Sequence, residues 1–401
     1  MRIEYAGSVH DEEEIAAVVD VLRGGATALR IGKQVREMER LVAACFGKRR
    51  GIMCNSGSSA LYLFVELLGL EEGDEIITSP LTFSTDIAPM VRSRLVPVFV
   101  DVTPDTYQID VERIERNLGP RTKAILAPNL TGNCPDWDGI RAIADRHGLR
   151  VVEDSCDCLG ATQNGTPTGT RSEISVTSFA LSHIITAGGT GGMVLLDDER
   201  LADRCLLLRR WGRRSELKLF GSQKGERRFF SDLDGLEYDD LFIFDELGWN
   251  FEPSELSAAF GVVQMRKLPA NLARRKRNFE VLTQRFAAHP GLFTLARTTP
   301  GIDTAWHMYP IQIRPESGIR RGQLQAHLEA NGVDTRMVWT GNAARQPAFR
   351  DKPMRIDVGG LANADRVMET GLILPMNHAQ GERQMHFIGD LVDAYVKEHA
   401  A

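Results

Sequence analysis

The stretch Ser178-Phe-Ala-Leu-Ser-His183-Ile-Ile-Thr-Ala-Gly-Gly-Thr-Gly-Gly192 decides how the chain is interpreted. It follows a run of residues typical of a strand, and its glycine-rich turn leads into a second apolar run at 193–196. The imidazole of His183 can move protons, because its ordinary pKa of about 6.5 lies near working pH. It has no primary amine and so cannot form a Schiff base with an aldehyde. Considered alone, most histidines in such a position are simply polar side chains beside a loop.

The composition is that of an ordinary soluble globular protein. Of the 401 residues, 43% are hydrophobic and 25% are charged, and the length suggests two or more structural units. The net charge of −6 argues against a general surface for nucleic acid. No apolar run is long enough to span a membrane, and the first residues lack a signal-peptide pattern. We therefore expect a cytoplasmic protein without nucleic-acid or membrane partners.

The six cysteines stand at 45, 54, 134, 156, 158 and 205. Most lie in apolar segments that indicate core positions, so reduced thiols are expected. Cys156 and Cys158 form a C-x-C pair without a second pair nearby, which does not match the ligand spacing of zinc sites. The sequence therefore predicts no metal site.

Apolar segments separated by helical patterns predict an α/β fold with a mostly parallel sheet. The predicted strands are 51–54, 74–80, 95–101, 124–129 and 150–154, and the predicted helices are 11–23, 34–46, 60–68, 199–210 and one that opens at 106–110. After a long helix from 267, the pattern changes to a small α+β unit, with strands at 306–313, 333–339 and 371–375 and helices at 321–331, 361–368 and 381–398. Functional loops of such a sheet lie at the carboxyl ends of its strands.

Two polar segments stand at predicted strand ends. The turn Gly57-Ser58-Ser59 opens a helix, where free backbone N–H groups and the helix dipole favour an anion. N-capping by Ser56 or Ser58 explains the same residues equally well. Asp154 ends another strand, where a functional carboxylate is expected, although capping of the next element is the alternative.

Together these segments resemble the DegT/DnrJ/EryC1/StrS family, the sugar aminotransferases of the fold-type I class that depend on pyridoxal phosphate (PLP). The resemblance covers roughly residues 5–395, and its most specific parts are 54–61, 153–160, 178–192, 248–264 and 336–347. It implies a fold-type I aminotransferase-like α/β architecture: a mostly parallel seven-stranded sheet flanked by helices, plus a smaller α+β C-terminal domain. We place the cofactor-binding domain, with the N-terminal helices, at 1–270 and the small domain at 271–401.

Most members of this family carry a lysine five residues after the Ser-Phe pair, where this chain has His183. In that respect the chain resembles the histidine-bearing nucleotide-sugar 3-dehydratases of deoxysugar biosynthesis, which serves lipopolysaccharide or antibiotic production. The resemblance implies a cofactor held without a covalent bond, as PLP or pyridoxamine phosphate (PMP). It implies C3 dehydration of a nucleotide-linked 4-keto-6-deoxyhexose, with His183 as acid and base and L-glutamate as the amino donor that regenerates PMP.

The resemblance also implies roles for other residues. Asp154 would keep the pyridine nitrogen protonated and so act in catalysis with His183. Asp157 would lie near the ring hydroxyl, Phe83 would stack on the ring, and Asn250 would reach the phosphate of the neighbouring subunit, which implies a homodimer with shared active sites. The implied cofactor-binding residues are Gly57, Ser58, Ser59, Phe83, Asp154, Asp157, Ser178 and Asn250. The candidates for contacts with the sugar or its diphosphate are Arg336, Asn342 and Arg345.

Two departures from the family bear on these implications. One branch of dehydratases holds an iron–sulfur cluster on cysteines after an Arg-x-Trp-Gly-Arg segment, whereas 213–225 of this chain contains no cysteine. We therefore expect no cluster and no partner reductase. Relatives carry Glu or Asp at the position of Thr190, so the identity of the substrate stays open.

Two other functions fit the sequence. One is a nucleotide-sugar aminotransferase with an atypical site, which would borrow Lys218 or Lys224 from the polar segment 213–244. That segment is too long for a plain turn and indicates a functional or interface loop. The other is a partner or regulator that binds the cofactor without catalysis. His307 and His378 are further histidines that could also line the pocket, although the sequence assigns neither a specific role.

Overall fold

The computed structural model describes residues 1–225 and 230–399. Its helices are α1 Glu12–Arg23, α2 Lys33–Phe46, α3 Gly57–Leu68, α4 Ser84–Arg92, α5 Trp137–His147, α6 Glu199–Arg209, α7 Ser215–Leu219, α8 Glu255–Ala287, α9 Arg321–Ala330, α10 Ala362–Thr370 and α11 Glu382–His399. Its strands are β1 Arg50–Cys54, β2 Glu75–Thr78, β3 Val96–Phe99, β4 Thr122–Pro128, β5 Arg150–Asp154, β6 Thr162–Gln163, β7 Thr166–Pro167, β8 Ile174–Ser178, β9 Gly192–Leu196, β10 Phe230–Leu233, β11 Leu236–Asp239, β12 Phe293–Leu295, β13 Ile302–Asp303, β14 Tyr309–Ile313, β15 Arg355–Ile356 and β16 Gly371–Leu374. None of the described helices is both long and apolar enough to cross a bilayer.

Eight strands form the central sheet, in the order β1-β9-β8-β5-β4-β2-β3-β15. Neighbouring strands from β8 to β15 run parallel, whereas β9 is antiparallel to both β1 and β8. Seven of these strands lie within residues 50–196, and β15 adds two residues from the C-terminal part. The predicted α/β fold with a mostly parallel seven-stranded sheet is confirmed, with one short strand added at its edge.

Helices cover both faces of this sheet. Successive residues of a strand point to opposite faces, so Ile76 and Val152 pack with α3 and α6, whereas Ile77 and Val151 pack with α5. Burial on both faces explains why the strands are apolar runs rather than alternating patterns.

The start of α3 lies three residues before the predicted start at 60. Ser56 is its N-cap, because its Oγ accepts a hydrogen bond from the backbone N–H of Ser59 at 3.0 Å. Of the two proposed caps, Ser56 rather than Ser58 is therefore the one observed. Only two residues separate the end of β1 from the start of the helix, so its N-terminus lies at the edge of the sheet.

The C-terminal part is built on α8, a single helix of 33 residues. The helix predicted from 267 is its second half, and the boundary proposed between 270 and 271 lies inside it, so the division into two domains stays a prediction. Strands β12, β14 and β16 form an antiparallel sheet, and the side chains of Tyr309, Leu328 and Ile388 belong to its core.

The strand predicted at 333–339 is wrong. This segment makes only single bridges, from Val333 to Ile3 and from Arg336 to Ile373. Trp339 then adopts a left-handed backbone conformation with φ of 41°. The indole N–H of Trp339 donates to Asp157, which lies after β5, so the end of this segment is held by a side-chain contact and not by strand pairing.

The helix predicted to open at 106–110 is also wrong. A tight turn takes its place, in which Tyr107 has φ of 65° and Val102 forms a bridge with Ile109. The following residues form only two short 3-10 turns, Val111–Arg113 and Glu115–Asn117.

The polar segment 213–244 contains α7 and the hairpin of β10 and β11, while 226–229 lie outside the described residues. Leu236, Phe242 and Phe244 are more than half exposed on it. Its role as a functional or interface loop stays a prediction.

A buried carboxylate ties the strands together below the carboxyl edge of the sheet. Glu153 is 0% exposed. Its Oε1 accepts hydrogen bonds from Asn129 at 2.8 Å, Ser155 at 2.7 Å and Thr168 at 2.6 Å, and its Oε2 accepts one from Ser175 at 3.0 Å. Asn129 and Ser155 directly follow β4 and β5, Ser175 lies in β8, and Thr168 lies in the turn before β8, so this one side chain fixes the relative positions of these segments.

Removal of this acceptor should destabilise the fold strongly. We expect Glu153→Ala to lower the free energy of unfolding by about 3 kcal/mol or more, because four buried donors lose their partner. Glu153→Gln is the matched control, since it keeps one acceptor oxygen and the side-chain volume. Urea unfolding followed by circular dichroism measures both. Equal midpoints for the two variants would contradict the structural role of the carboxylate.

Candidate active site

A cavity of about 240 Å³ opens at the carboxyl edge of the sheet. Many of the predicted catalytic and cofactor-binding residues line it: Gly57, Ser58, Phe83, Asp154, Asp157, Ser178 and His183. They stand at or just after the ends of four different strands, β1, β2, β5 and β8, which the sheet brings together. Ser59 is buried but does not line the cavity, because its hydroxyl donates to Oδ1 of Asn55 at 2.6 Å.

The N-terminus of α3 forms one part of the cavity wall. Gly57 and Ser58 are its first residues, and the first N–H groups of a helix have no partner within the helix. A Cβ on Gly57 would lie 2.5 Å from the Cβ of Ser178, so only glycine lets the end of β8 approach this closely. Helix dipole, backbone N–H groups and serine hydroxyls together suit a small anion such as a phosphate.

Asp154 supplies a buried carboxylate. Its Oδ1 accepts a hydrogen bond from the backbone N–H of Cys156 at 3.0 Å. Burial raises the pKa of Asp154 to about 6, although the contacts with Cys156 oppose the rise. In the described part of the chain no lysine, arginine or histidine forms an ion pair with it. A buried carboxylate without a cationic partner is suited to a protonated nitrogen of a ligand.

A second acid, Asp86 in the first turn of α4, lies beside Asp154. It is 0% exposed and accepts a hydrogen bond from the hydroxyl of Thr82. Burial, followed by the nearby charge of Asp154, raises the pKa of Asp86 well above its ordinary value. Asp86 therefore holds its proton near neutral pH and donates it in a hydrogen bond to Asp154, which favours the ionised form of that neighbour.

His183 lies against Asp157, with 3.6 Å between Nδ1 and Oδ1, and its ring stacks on that of His307 at a centroid distance of 5.5 Å. Burial lowers the pKa of His183 to about 4, against the attraction of Asp157. Burial also acts to raise the pKa of Asp157, but His307, His183 and the N–H of Thr131 outweigh it and hold this pKa below its ordinary value. Near pH 7 Asp157 is thus ionised and His183 is neutral, so His183 can accept a proton.

Trp339 closes one side of the cavity. Its indole N–H donates to Oδ2 of Asp157 at 2.8 Å, and its ring meets that of Phe83 edge to face at 6.2 Å. Phe83 is 55% exposed, so it is not a core residue and has a face free to cover a flat ligand.

Beyond Trp339 a second cavity of about 510 Å³ is lined by Phe83 and Arg336 among others. The guanidinium of Arg336 lies 4.8 Å from the ring centre of Tyr5. This places one of the three candidate substrate residues next to the first cavity.

The other two candidates are engaged elsewhere. The side chain of Asn342 donates to Asp365 at 2.9 Å, and Arg345 binds the same carboxylate at 3.0 Å. Neither lines either of the two cavities. Their role in substrate binding stays a prediction.

Asn250 and the two loop lysines do not line the first cavity either. Asn250 is exposed, and its Oδ1 accepts a hydrogen bond from the backbone of Glu252 at 3.4 Å. Lys218 is buried and pairs with Asp240 at 2.6 Å, and Lys224 is exposed. Among the described residues, no lysine lines the cavity around His183.

Sequence reasoning missed Asp86 and Trp339 as parts of the site, and it named His307 only as a histidine that could line the pocket. Asp86 looks like an ordinary acidic residue in the first turn of a helix, and Trp339 ends a segment with the pattern of a strand. His307 follows Trp306 in a run that predicts a strand. No local pattern reveals that distant segments bring these side chains against Asp154 and Asp157.

A model of the DegT/DnrJ/EryC1/StrS aminotransferase family matches residues 8–392. The chain belongs to this family. It is 36% identical to dTDP-4-dehydro-2,6-dideoxy-D-glucose 3-dehydratase of Saccharopolyspora spinosa over 379 residues. The aligned region covers 92% of this chain and 80% of that protein.

Two solved structures extend the similarity to the fold. GDP-4-keto-6-deoxymannose-3-dehydratase with a trapped PLP-glutamate geminal diamine has a TM-score of 0.88 at 27% identity, over 97% of this chain and 100% of that one. GDP-4-keto-6-deoxy-D-mannose-3-dehydratase of E. coli with bound hydrated PLP has a TM-score of 0.87 at 28% identity, over 98% and 100%. The expected fold-type I architecture is confirmed.

The residues of the cavity fit PLP or PMP. The N-terminus of α3 with Ser178 suits the phosphate, and the unpaired carboxylate of Asp154 suits the ring nitrogen. The exposed face of Phe83 suits the flat ring. These features were expected from the family resemblance, and the fold brings them into one cavity.

The protonated state of Asp86 can be tested through stability in the cofactor-free protein. An acid whose pKa rises on folding favours the folded state fully below its unfolded pKa, and this stability is lost as pH rises toward the folded pKa. We expect Asp86→Asn to raise the free energy of unfolding at pH 7.5 by about 1–4 kcal/mol. The gain should be nearly gone at about pH 3, below the ordinary aspartate pKa of about 3.9, because the acid is then mostly protonated in both states.

Urea unfolding at the two pH values measures this gain, and Asp351→Asn is the control, because the Asp351 side chain is 81% exposed. A gain of the same size at both pH values would show that Asp86 does not hold the proton.

Proposed function

We propose that this chain is a PLP/PMP-dependent 3-dehydratase that removes the C3 hydroxyl of a nucleotide-linked 4-keto-6-deoxyhexose. His183 carries the proposal: it stands in the cavity at the position where most family members have the lysine that binds the cofactor covalently. The named 3-dehydratases among the relatives support the reaction, and the structure with trapped PLP and glutamate supports glutamate as the amino donor.

PMP, when bound, supplies an amine that joins the substrate ketone and a ring that takes up electrons. His183 acts on the protons. Because burial lowers its pKa to about 4, it is neutral at working pH and can remove a proton from the carbon next to the cofactor ring. The imidazolium formed in this way then gives the proton to the leaving C3 hydroxyl.

The other residues of the cavity position and protect this step. Asp154 holds the proton on the ring nitrogen, and Asp86 keeps the Asp154 carboxylate ionised. Trp339 and Phe83 cover the side toward the second cavity and limit the access of water. Arg336 lies where a diphosphate-linked sugar would extend, and arginine suits bidentate binding of phosphate.

Product analysis tests the proposal. The purified protein is incubated with PLP, L-glutamate and a panel of GDP-, CDP- and dTDP-linked 4-keto-6-deoxyhexoses, and the products are identified by mass spectrometry. A 3-deoxy keto sugar with release of ammonia is expected, and the panel shows which nucleotide is accepted. An amino sugar would support the aminotransferase, and tight cofactor binding without any turnover would support the non-catalytic partner or regulator.

His183→Lys is the matched variant for this experiment. A lysine amine at this position should capture PLP covalently, so borohydride should fix the cofactor to the variant and not to the wild type. We expect dehydration to fall at least 100-fold, because the free imidazole that moves the protons is gone. Unchanged formation of the 3-deoxy product by the lysine variant would contradict the role of His183.

We also propose a homodimer in which Asn250 of one subunit completes the phosphate site of the other. Asn250 is exposed and does not line the cavity of its own chain, and both facts are compatible with this role. His183→Ala and Asn250→Ala should each be inactive as homodimers. Subunit exchange between them should restore about a quarter of the wild-type activity, since half of the dimers would hold one intact composite site. No recovery after exchange, with mixed dimers verified by mass, would place Asn250 outside the shared site.

A further inference from the structure

We infer that His307 is a positioning residue: it carries a proton on both ring nitrogens, pairs with Asp157, and thereby leaves His183 free to accept a proton. This inference deepens the proposed function and rests on it only for the reaction in which His183 acts. It explains why a fully buried histidine lies against two residues of the cavity, Asp157 and His183.

The position of His307 suits a cation. The side chain is 0% exposed and lies between two rings, with centroid distances of 5.5 Å to His183 and 5.9 Å to Trp339. Both pairs are nearly parallel, with interplanar angles of 24°. The face of an indole attracts a cation at this distance, so the contact with Trp339 favours the protonated imidazole.

Each ring nitrogen of His307 faces an oxygen that only accepts hydrogen bonds. Nε2 is within hydrogen-bonding distance of the carbonyl oxygen of Ser182, and Nδ1 lies 3.3 Å from Oδ1 of Asp157. A neutral imidazole has one N–H and would turn a lone pair toward one of these oxygens. An imidazolium directs an N–H toward both, although the one at Nδ1 is not in line with its acceptor and forms an ion pair rather than a straight hydrogen bond.

Asp157 is arranged to stay ionised. Its other oxygen, Oδ2, already accepts the backbone N–H of Thr131 at 3.0 Å and the indole N–H of Trp339 at 2.8 Å. Two such donors stabilise the carboxylate over the acid. Asp157 therefore does not provide the missing proton itself, and the proton between Oδ1 and His307 belongs on the imidazole.

The charge of His307 in turn acts on His183. Both imidazoles turn Nδ1 toward the same oxygen of Asp157, and one carboxylate cannot neutralise two cations at this separation. The groups that face His183 are Asp157, His307 and the buried guanidinium of Arg275, whose Nη1 donates to the backbone oxygen of His307 at 2.8 Å. Asp154 and Asp86 lie close enough to Asp157 for their charges to interact with it. Two positive groups stand close to His183 and oppose its protonation.

NMR of histidine side chains tests the inference in the cofactor-free protein. With 15N-labelled histidine, the wild type at pH 7 should show one imidazole with N–H protons on both nitrogens, and the signal should be missing in His307→Gln. A neutral His307 at pH 7 would overturn the proposal. The wild-type spectrum carries the result, and His307→Gln serves only to assign the signal among the nine histidines.

The second arm follows His183, whose signal is assigned with His183→Asn. In His307→Gln the midpoint of its titration should move up by about one pH unit or more, because a cation beside it has been removed. The acid limb of the dehydration rate should move in the same direction. A purely structural role for His307 would lower the rate at every pH and leave the midpoint in place, which would also overturn the proposal.

His378→Gln is the matched control. His378 is likewise buried and lies near Arg275, but it does not line the cavity or contact Asp157. The titration of His183 should not move in this variant. If the protein proves to lack dehydratase activity, both NMR arms still decide the protonation of His307, so the failure of the proposed function and the failure of this inference are distinguishable.

Discussion

The rest of the site depends on the contacts made by the buried carboxylate of Asp157. It follows β5 of the central sheet, and it binds the N–H of Thr131 after β4 and faces His183 after β8. Its other partners, His307 and Trp339, belong to segments that follow α8. One buried charge thus joins three strand ends to the C-terminal part of the chain. Because an unpaired buried carboxylate is costly, these segments cannot separate without losing the partners that neutralise it.

This arrangement shows why a histidine in place of the lysine changes more than the bond to the cofactor. A lysine would bring a positive charge next to Asp157, whereas His183 is neutral there because burial lowers its pKa. His307 occupies the other side of the same carboxylate oxygen and can supply the balancing charge. The two carboxylates of the site then differ in role because their environments differ: Asp157 is neutralised within the chain, whereas Asp154 has no cationic partner among the described residues.

The sequence predicts those parts of the site that follow strands directly. Asp154, Ser178 and the turn at 57–59 stand at the ends of clear apolar runs, and parallel strands end at a common edge. It does not predict the role of Trp339, because 333–339 has the alternating pattern of a strand. In the structure this segment makes only single bridges, and Trp339 instead contacts Asp157, 182 positions earlier in the chain. Asn342 shows the opposite case: it lies in a segment that resembles the family, yet its side chain caps its own turn and binds Asp365.

Asp86 and Asp154 show how the fold prepares the site for a ligand that carries a positive charge. Two buried acids with raised pKa values lie side by side, which costs folding free energy that a serine or leucine at these positions would not cost. The cost is tolerable because Asp86 keeps its proton and Asp154 keeps a donor. Neither Asp86 nor the donor to Asp154 provides a positive charge for the ionised Asp154 carboxylate. A protonated ring nitrogen supplies that charge. A ligand that carries one forms an ion pair with Asp154 and so stabilises the folded state. The two adjacent acids, which are unfavourable by themselves, are therefore the reason that the site prefers such a ligand.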